Sequence, residues 1–108
     1  MLAKVRQAAD DFLAQTYGFS PETRASVLDR AATEIVADCR ELSAAATTDR
    51  EAVKRRAHRL KGHLLPLGLT ALAQQAKALE LLAGAGGGAS LTDAVRDLCR
   101  ALLREPPA

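Results

Sequence analysis

The sequence predicts an all-α protein, an antiparallel up-and-down four-helix bundle with an additional N-terminal helix. Three observations predict it. Apolar residues recur at spacings of three and four along most of the chain, and little reads as strand. Apolar residues make up 48% of the chain but aromatic ones only 3%, with no Trp, so the core must be aliphatic; Leu, Val, Ile and abundant Ala suit closely packed helices. The breaks between the periodic stretches are short, which favours antiparallel neighbours. A chain of 108 residues suits one compact domain, here residues 1–108.

Helix 1, about 2–17, carries Leu2, Val5, Ala9 and Phe12 on one face and stops at Gly18, where a left-handed terminus is available. Ser20 and Pro21 open helix 2, about 21–46, as cap and first helical residue. Its stripe is Leu28, Ala32, Ile35, Cys39, Leu42 and Ala46. Thr48 or Asp49 caps helix 3, about 49–67, with Val53, Ala57, Leu60, Leu64 and Leu67 inward and Gly68 as its stop. Helix 4, about 69–83, turns Leu69, Leu72, Ala76, Leu79 and Ala83 inward and ends at "GAGGGAS". That run lacks both the Lys-Ser/Thr ending and the preceding strand of a phosphate-cradling loop, so it reads as a flexible connector. Ser90 caps helix 5, about 91–104, with Leu91, Val95, Leu98 and Leu102 inward, and "EPPA" forms a tail.

Several function classes have little support. A formal charge of +2 imposes no global demand for nucleic acid or membrane. Cys39 and Cys99 belong to no metal-ligand or CxxC pattern and read as small apolar residues in helix faces, so no metal site is expected. The most apolar stretch, "LLPLGLTALA", is broken by Pro66 and Gly68 and is too short to span a bilayer. No leader pattern is seen, and the expected location is cytoplasmic.

The informative stretch is "RRAHRLKGHLLPLG", Arg55 to Gly68. On a helical wheel the inward stripe of helix 3 lies about 100° to 180° from His58. Glu51, Lys54, Arg55, Lys61, Gly62 and Leu65 fall near it. His58 therefore faces water, next to a cation and a residue with no side chain. An exposed neutral imidazole is nucleophilic. Lys61 can balance the charge of a phosphoryl group on the ring, and Gly62 clears the surface for a bulky partner. Lys54, Arg55, Arg59 and Lys61 favour an acidic partner and speed encounter. Phosphoryl transfer asks mainly for positioning and charge compensation, and this chain has no ATP loop and no acid cluster for Mg²⁺, so the other half-site must come from a partner.

The segment "AHRLKGHLLPLGLTALAQQAKALE", Ala57 to Glu80, resembles the histidine-containing phosphotransfer (HPt) domain, whose pattern is H-x-L-K-G with a glycine six residues later. His58, Leu60, Lys61, Gly62 and Gly68 match. The resemblance implies a non-enzymatic phosphocarrier of a two-component phosphorelay. His58 accepts phosphoryl from a receiver-domain aspartate and passes it to another receiver, Lys61 is the stabilising cation and Gly62 gives access. The implied partners are response-regulator receivers together with a hybrid histidine kinase. No cofactor is implied in this chain, the Mg²⁺ belonging to the receiver, and a monomer is expected. His63, Leu65 and Pro66 depart from the pattern. His63 lies roughly 140° around the helix from His58, which excludes a joint metal grip and points to a flank contact with a neighbouring helix. Leu65, on the His58 face, is a candidate for partner docking along with Lys54, Arg55 and Arg59. Two alternatives are a helical module that docks on a kinase or receiver without transfer, and a nucleic-acid-binding module using "KRRAHRLK". The latter is disfavoured because Glu51 interrupts the basic face and no aromatic residue offers stacking there.

Overall fold

The structure, a computed structural model, describes residues 1–86 and 88–103. The helices are α1 (Ala3–Tyr17), α2 (Pro21–Ala45), α3 (Arg50–Leu64), a 3-10 turn (Leu65–Leu67), α4 (Thr70–Gly84) and α5 (Ala89–Leu103). No strand occurs among the described residues. The "EPPA" tail and residue 104 of the expected helix 5 lie outside them, as does Gly87 of the connector.

Local chemistry sets the boundaries. Ser20 Oγ accepts the Thr23 N–H at 3.2 Å, and Pro21 takes the first helical position, where its missing donor is harmless. Asp49, not Thr48, caps α3 by accepting the Ala52 N–H at 3.0 Å. Gly18 closes α1 at φ 67°, donating to the Ala14 carbonyl. α3 ends at Leu64 and not near residue 67. Pro66 has no N–H with which to continue the ladder, so the chain tightens into the 3-10 turn and leaves it at Gly68, φ 72°. α5 starts at Ala89, so Ser90 lies inside its first turn and not at its cap.

The inward stripes of α3 and α5 are buried at every expected position: Val53, Ala57, Leu60, Leu64 and Leu67, then Leu91, Val95, Leu98 and Leu102. Elsewhere the stripe is shifted slightly. In α1 Leu13 is buried and Phe12 only partly; in α2 Ala31 is buried and Ala32 only partly; in α4 Ala73 is buried and Leu72 only partly. α2 packs against α3 and α5, α4 packs against the same two, and buried residues from all five helices join in one core cluster. Later residues of α3 meet earlier residues of α2: Arg56 pairs with Glu41, and His63 with Glu34. Across the turn, His58 and Glu80 meet and lie equally far in sequence from Leu69.

α1 lies on α2 and on the 3-10 turn. Two ion pairs, Arg6–Asp29 and Arg24–Asp10, each 2.8 Å, tie it to α2, and the Leu2 N–H donates to the Leu102 carbonyl at 2.7 Å. Its key contact is steric. The Phe12 ring sits where a Cβ on Gly68 would be. Tyr17 meets Phe12 edge-on at 6.0 Å and stacks on Phe19 at 5.1 Å, so all the aromatic residues of the chain gather at this corner. Gly68 thus serves both a left-handed turn and the seat of α1. Gly68→Ala is expected to cost roughly 1–2 kcal/mol in backbone strain and about 1–3 kcal/mol more from the collision with the ring. Urea unfolding measures the sum; adding Phe12→Ala should relieve only the collision.

Candidate functional site

His58 stands midway along α3, on the side away from Ala57, Leu60 and Leu64, with 66% of its side chain exposed. Its ring is nevertheless fixed. Nδ1 lies 3.0 Å from Oε1 and 3.1 Å from Oε2 of Glu80 on α4. An ionised carboxylate only accepts, so Nδ1 carries the hydrogen and donates it. In the neutral ring the free lone pair is then on Nε2. Glu80 is the less exposed partner, with 19% of its side chain exposed. A long acidic side chain lying along the α3–α4 seam therefore selects the tautomer of the imidazole.

The other predicted residues are arranged by helical spacing. Lys61 is half-buried one turn on, and Gly62 is exposed beside it. A Cβ at Gly62 would meet nothing within 4 Å. Nothing inside the chain therefore requires glycine there, although glycine in mid-helix costs about 1 kcal/mol relative to alanine. Lys54, one turn before His58, runs its aliphatic stem past Gly84 of α4, where a Cβ would find Lys54 Cδ and Cε at 3.9 Å. Arg55 and Arg59 are exposed, and neither they nor Lys54 and Lys61 join an ion pair among the described residues. Leu65 is 50% exposed and caps α3 in helical geometry, φ −58° and ψ −47°, its N–H donating to the Lys61 carbonyl, so it keeps the register of α3 as the chain enters the 3-10 turn. Gly62→Ala should raise the unfolding free energy by up to about 1 kcal/mol, because the new methyl enters open space. If transfer to a partner nonetheless slows, the notch faces the partner and not the core.

His63 belongs to a different cluster on the α2 flank. Its Nδ1 lies 2.5 Å from Oδ2 of Asp38, and its Nε2 lies 3.5 Å from Oε2 of Glu34. Asp38 is 2% exposed and also faces Arg56 at 3.8 Å, while Arg56 pairs with Glu41. The clamp joins α2 to α3 and is separate from the His58 seam. Sequence reasoning missed both acids. Glu80 was signalled by its matching distance from the turn, and Asp38 by its place in the apolar stripe, three residues after Ile35.

The scaffold is all-helical among the described residues and presents one oriented, solvent-facing imidazole beside cations that join no ion pair among those residues. This chain belongs to the Hpt domain family: residues 22–105 match the family model for the Hpt domain, which covers most of the chain and leaves α1 outside. Hpt domains carry phosphoryl groups in two-component signalling and are phosphocarriers, not conventional enzymes. Comparison with curated proteins and with solved structures gives no significant match. No helix among the described residues is long and apolar enough to cross a membrane.

Proposed function

We propose that this chain is a phosphorelay carrier in which Nε2 of His58 accepts a phosphoryl group from a receiver aspartate and returns it to the aspartate of another receiver. The observation that carries the reading is the His58–Glu80 hydrogen bond on an otherwise exposed ring. In the forward step the Nε2 lone pair forms the N–P bond as the P–O bond to the aspartate breaks, and the aspartate leaves as a carboxylate. Positive charge develops on the imidazole as its lone pair is donated. Glu80, holding the Nδ1–H, offsets that charge where it appears. Lys61 faces the opposite charge, that of the phosphoryl oxygens. Gly62 admits the partner, and Lys54, Arg55, Arg59 and Leu65 form the surface on which it docks.

The chemistry asks for no cofactor in this chain, and the Mg²⁺ is the receiver's. The reading carries with it a single domain over residues 1–108, folded as an antiparallel up-and-down four-helix bundle of α2–α5 with α1 added. The reversed pairing order of α2 with α3 supports that topology. A cytoplasmic monomer serving receivers and a hybrid histidine kinase completes it. A nucleic-acid role is disfavoured because the aromatic residues gather at the α1–α2 corner, packed on one another, and not along the basic strip.

The test is incubation with a radiolabelled phospho-receiver and Mg²⁺. An acid-labile, base-stable adduct on this chain supports the proposal; stable binding without uptake of label leaves a docking module instead. Glu80→Leu should keep docking affinity while slowing transfer on the order of 10- to 100-fold, because it removes both the tautomer lock and the counter-charge. Equal rates for Glu80→Leu and the parent chain would remove Glu80 from the mechanism.

A further inference from the structure

A second chemical arrangement lies on the α2–α5 side, away from the α3–α4 seam that carries His58. A groove between α2 and α5 has Cys39, Val95 and Cys99 in its floor and the exposed Arg40 and Arg100 at its rim. The two cysteines are sixty residues apart in sequence, yet the Cys99 thiol donates to the Cys39 carbonyl oxygen at 3.8 Å and both side chains line the same groove. Both are reduced. Cys39 is buried at 2% exposure, whereas Cys99 is partly open to the groove.

The two sulfurs are not equivalent. The neighbouring Cys99 side chain, reinforced by burial, pushes ionisation of the Cys39 thiol far up. The same pairing pulls that of Cys99 down, with burial opposing it and the Ser43 hydroxyl adding to it. Cys99 is therefore the sulfur that an oxidant in the groove reaches first, and Cys39 the buried one behind it. This is the division of labour between an attacking thiol and a resolving one.

We propose that the Cys39–Cys99 pair is a thiol modification site: a hydroperoxide oxidises Cys99, and Cys39 resolves the product into a disulfide joining α2 to α5. In the first step the Cys99 thiolate attacks one peroxide oxygen, the O–O bond breaks, and the second oxygen leaves and is protonated to water or an alcohol. Cys99 is then a sulfenic acid. In the second step the Cys39 sulfur attacks the Cys99 sulfur, and its proton goes to the departing hydroxyl, which leaves as water. The two thiols lose two electrons and the peroxide gains them. A dithiol reductant reverses the change by exchange. The site is independent of the His58 chemistry and lies on a different seam.

The experiment uses the full chain, reduced and then freed of reductant, with hydrogen peroxide as the probe and intact mass under non-reducing conditions as the readout. The monomer is expected to lose the mass of two hydrogen atoms and both free thiols, and to recover them with dithiothreitol. The loss should run on the order of tenfold faster folded than in urea, because folding holds the two cysteines together. Cys99→Ser should abolish it. Cys39→Ala should stop at a Cys99 sulfenic acid trapped by dimedone. Circular dichroism checks that both variants fold. Equal rates in urea, disulfide-linked dimers in place of the monomer product, or added oxygen without loss of hydrogen in the parent chain would each overturn the proposal.

Discussion

A His58→Gln chain is expected to take up no phosphoryl label from a phospho-receiver, with unfolding free energy within about 0.5 kcal/mol of the parent. The two halves of this expectation have separate causes. Glutamine has no nucleophilic ring nitrogen, so the N–P bond cannot form whatever the partner supplies. The fold is spared because His58 is largely exposed and lies outside the core, and glutamine keeps an N–H donor within reach of Glu80. Receiver binding should survive, since the basic residues and Leu65 remain. A His58→Gln protein that still accumulates acid-labile, base-stable label would move the phosphoacceptor elsewhere, and His63 is the other histidine. Its ring is tied at Nδ1 to a buried aspartate, has Glu34 3.5 Å from Nε2 and is only 21% exposed, so a receiver has far less access to it than to His58.

The second large effect concerns stability and that same His63. Replacing it by leucine leaves the Asp38 carboxylate buried without its 2.5 Å donor, with Arg56 at 3.8 Å already engaged by Glu41. Breaking one side of a buried pair costs about 3–5 kcal/mol, a large share of the roughly 5–15 kcal/mol that keeps a domain folded. The double variant Asp38→Leu/His63→Leu should recover most of that loss. Arg56 keeps Glu41, and two apolar side chains then meet across the α2–α3 seam. Urea denaturation of the single and double variants measures the coupling directly. If the double variant is no more stable than His63→Leu alone, the cost lies in leucine packing and not in the stranded charge.

What the sequence disclosed and what it hid follow from the range of the interactions involved. The stripes of α3 and α5 are readable because helical periodicity is local: Leu60 and Leu64, or Val95 and Leu98, fall on one face whatever they pack against. The exposure of His58 and the open space at Gly62 follow from the same wheel. Glu80 and Asp38 were hidden because each acts across a helix–helix seam, and the wheel of one helix says nothing of the register of its neighbour. Asp38 was further masked by lying in an apolar stripe, where its burial makes sense only with His63 in view. The Cys39–Cys99 contact was invisible for the same reason, each cysteine fitting its own stripe as a small apolar residue. Leu65 still keeps the register of α3, whereas the helix end expected near residue 67 overruns the true one because Pro66 has no N–H and tightens the chain into 3-10 geometry. The seat of Phe12 on Gly68 depends on how α1 docks, which no periodicity encodes.

The aromatic corner gives the molecule a built-in optical gauge. With no tryptophan and a single tyrosine, emission from this protein comes from Tyr17 alone, sandwiched between Phe12 and Phe19. Fluorescence and near-ultraviolet dichroism will therefore register α1 lifting off the Gly68 turn and remain silent to events at the imidazole. A melt followed by those signals against one followed by backbone dichroism would resolve whether the first helix departs before the rest of the fold gives way.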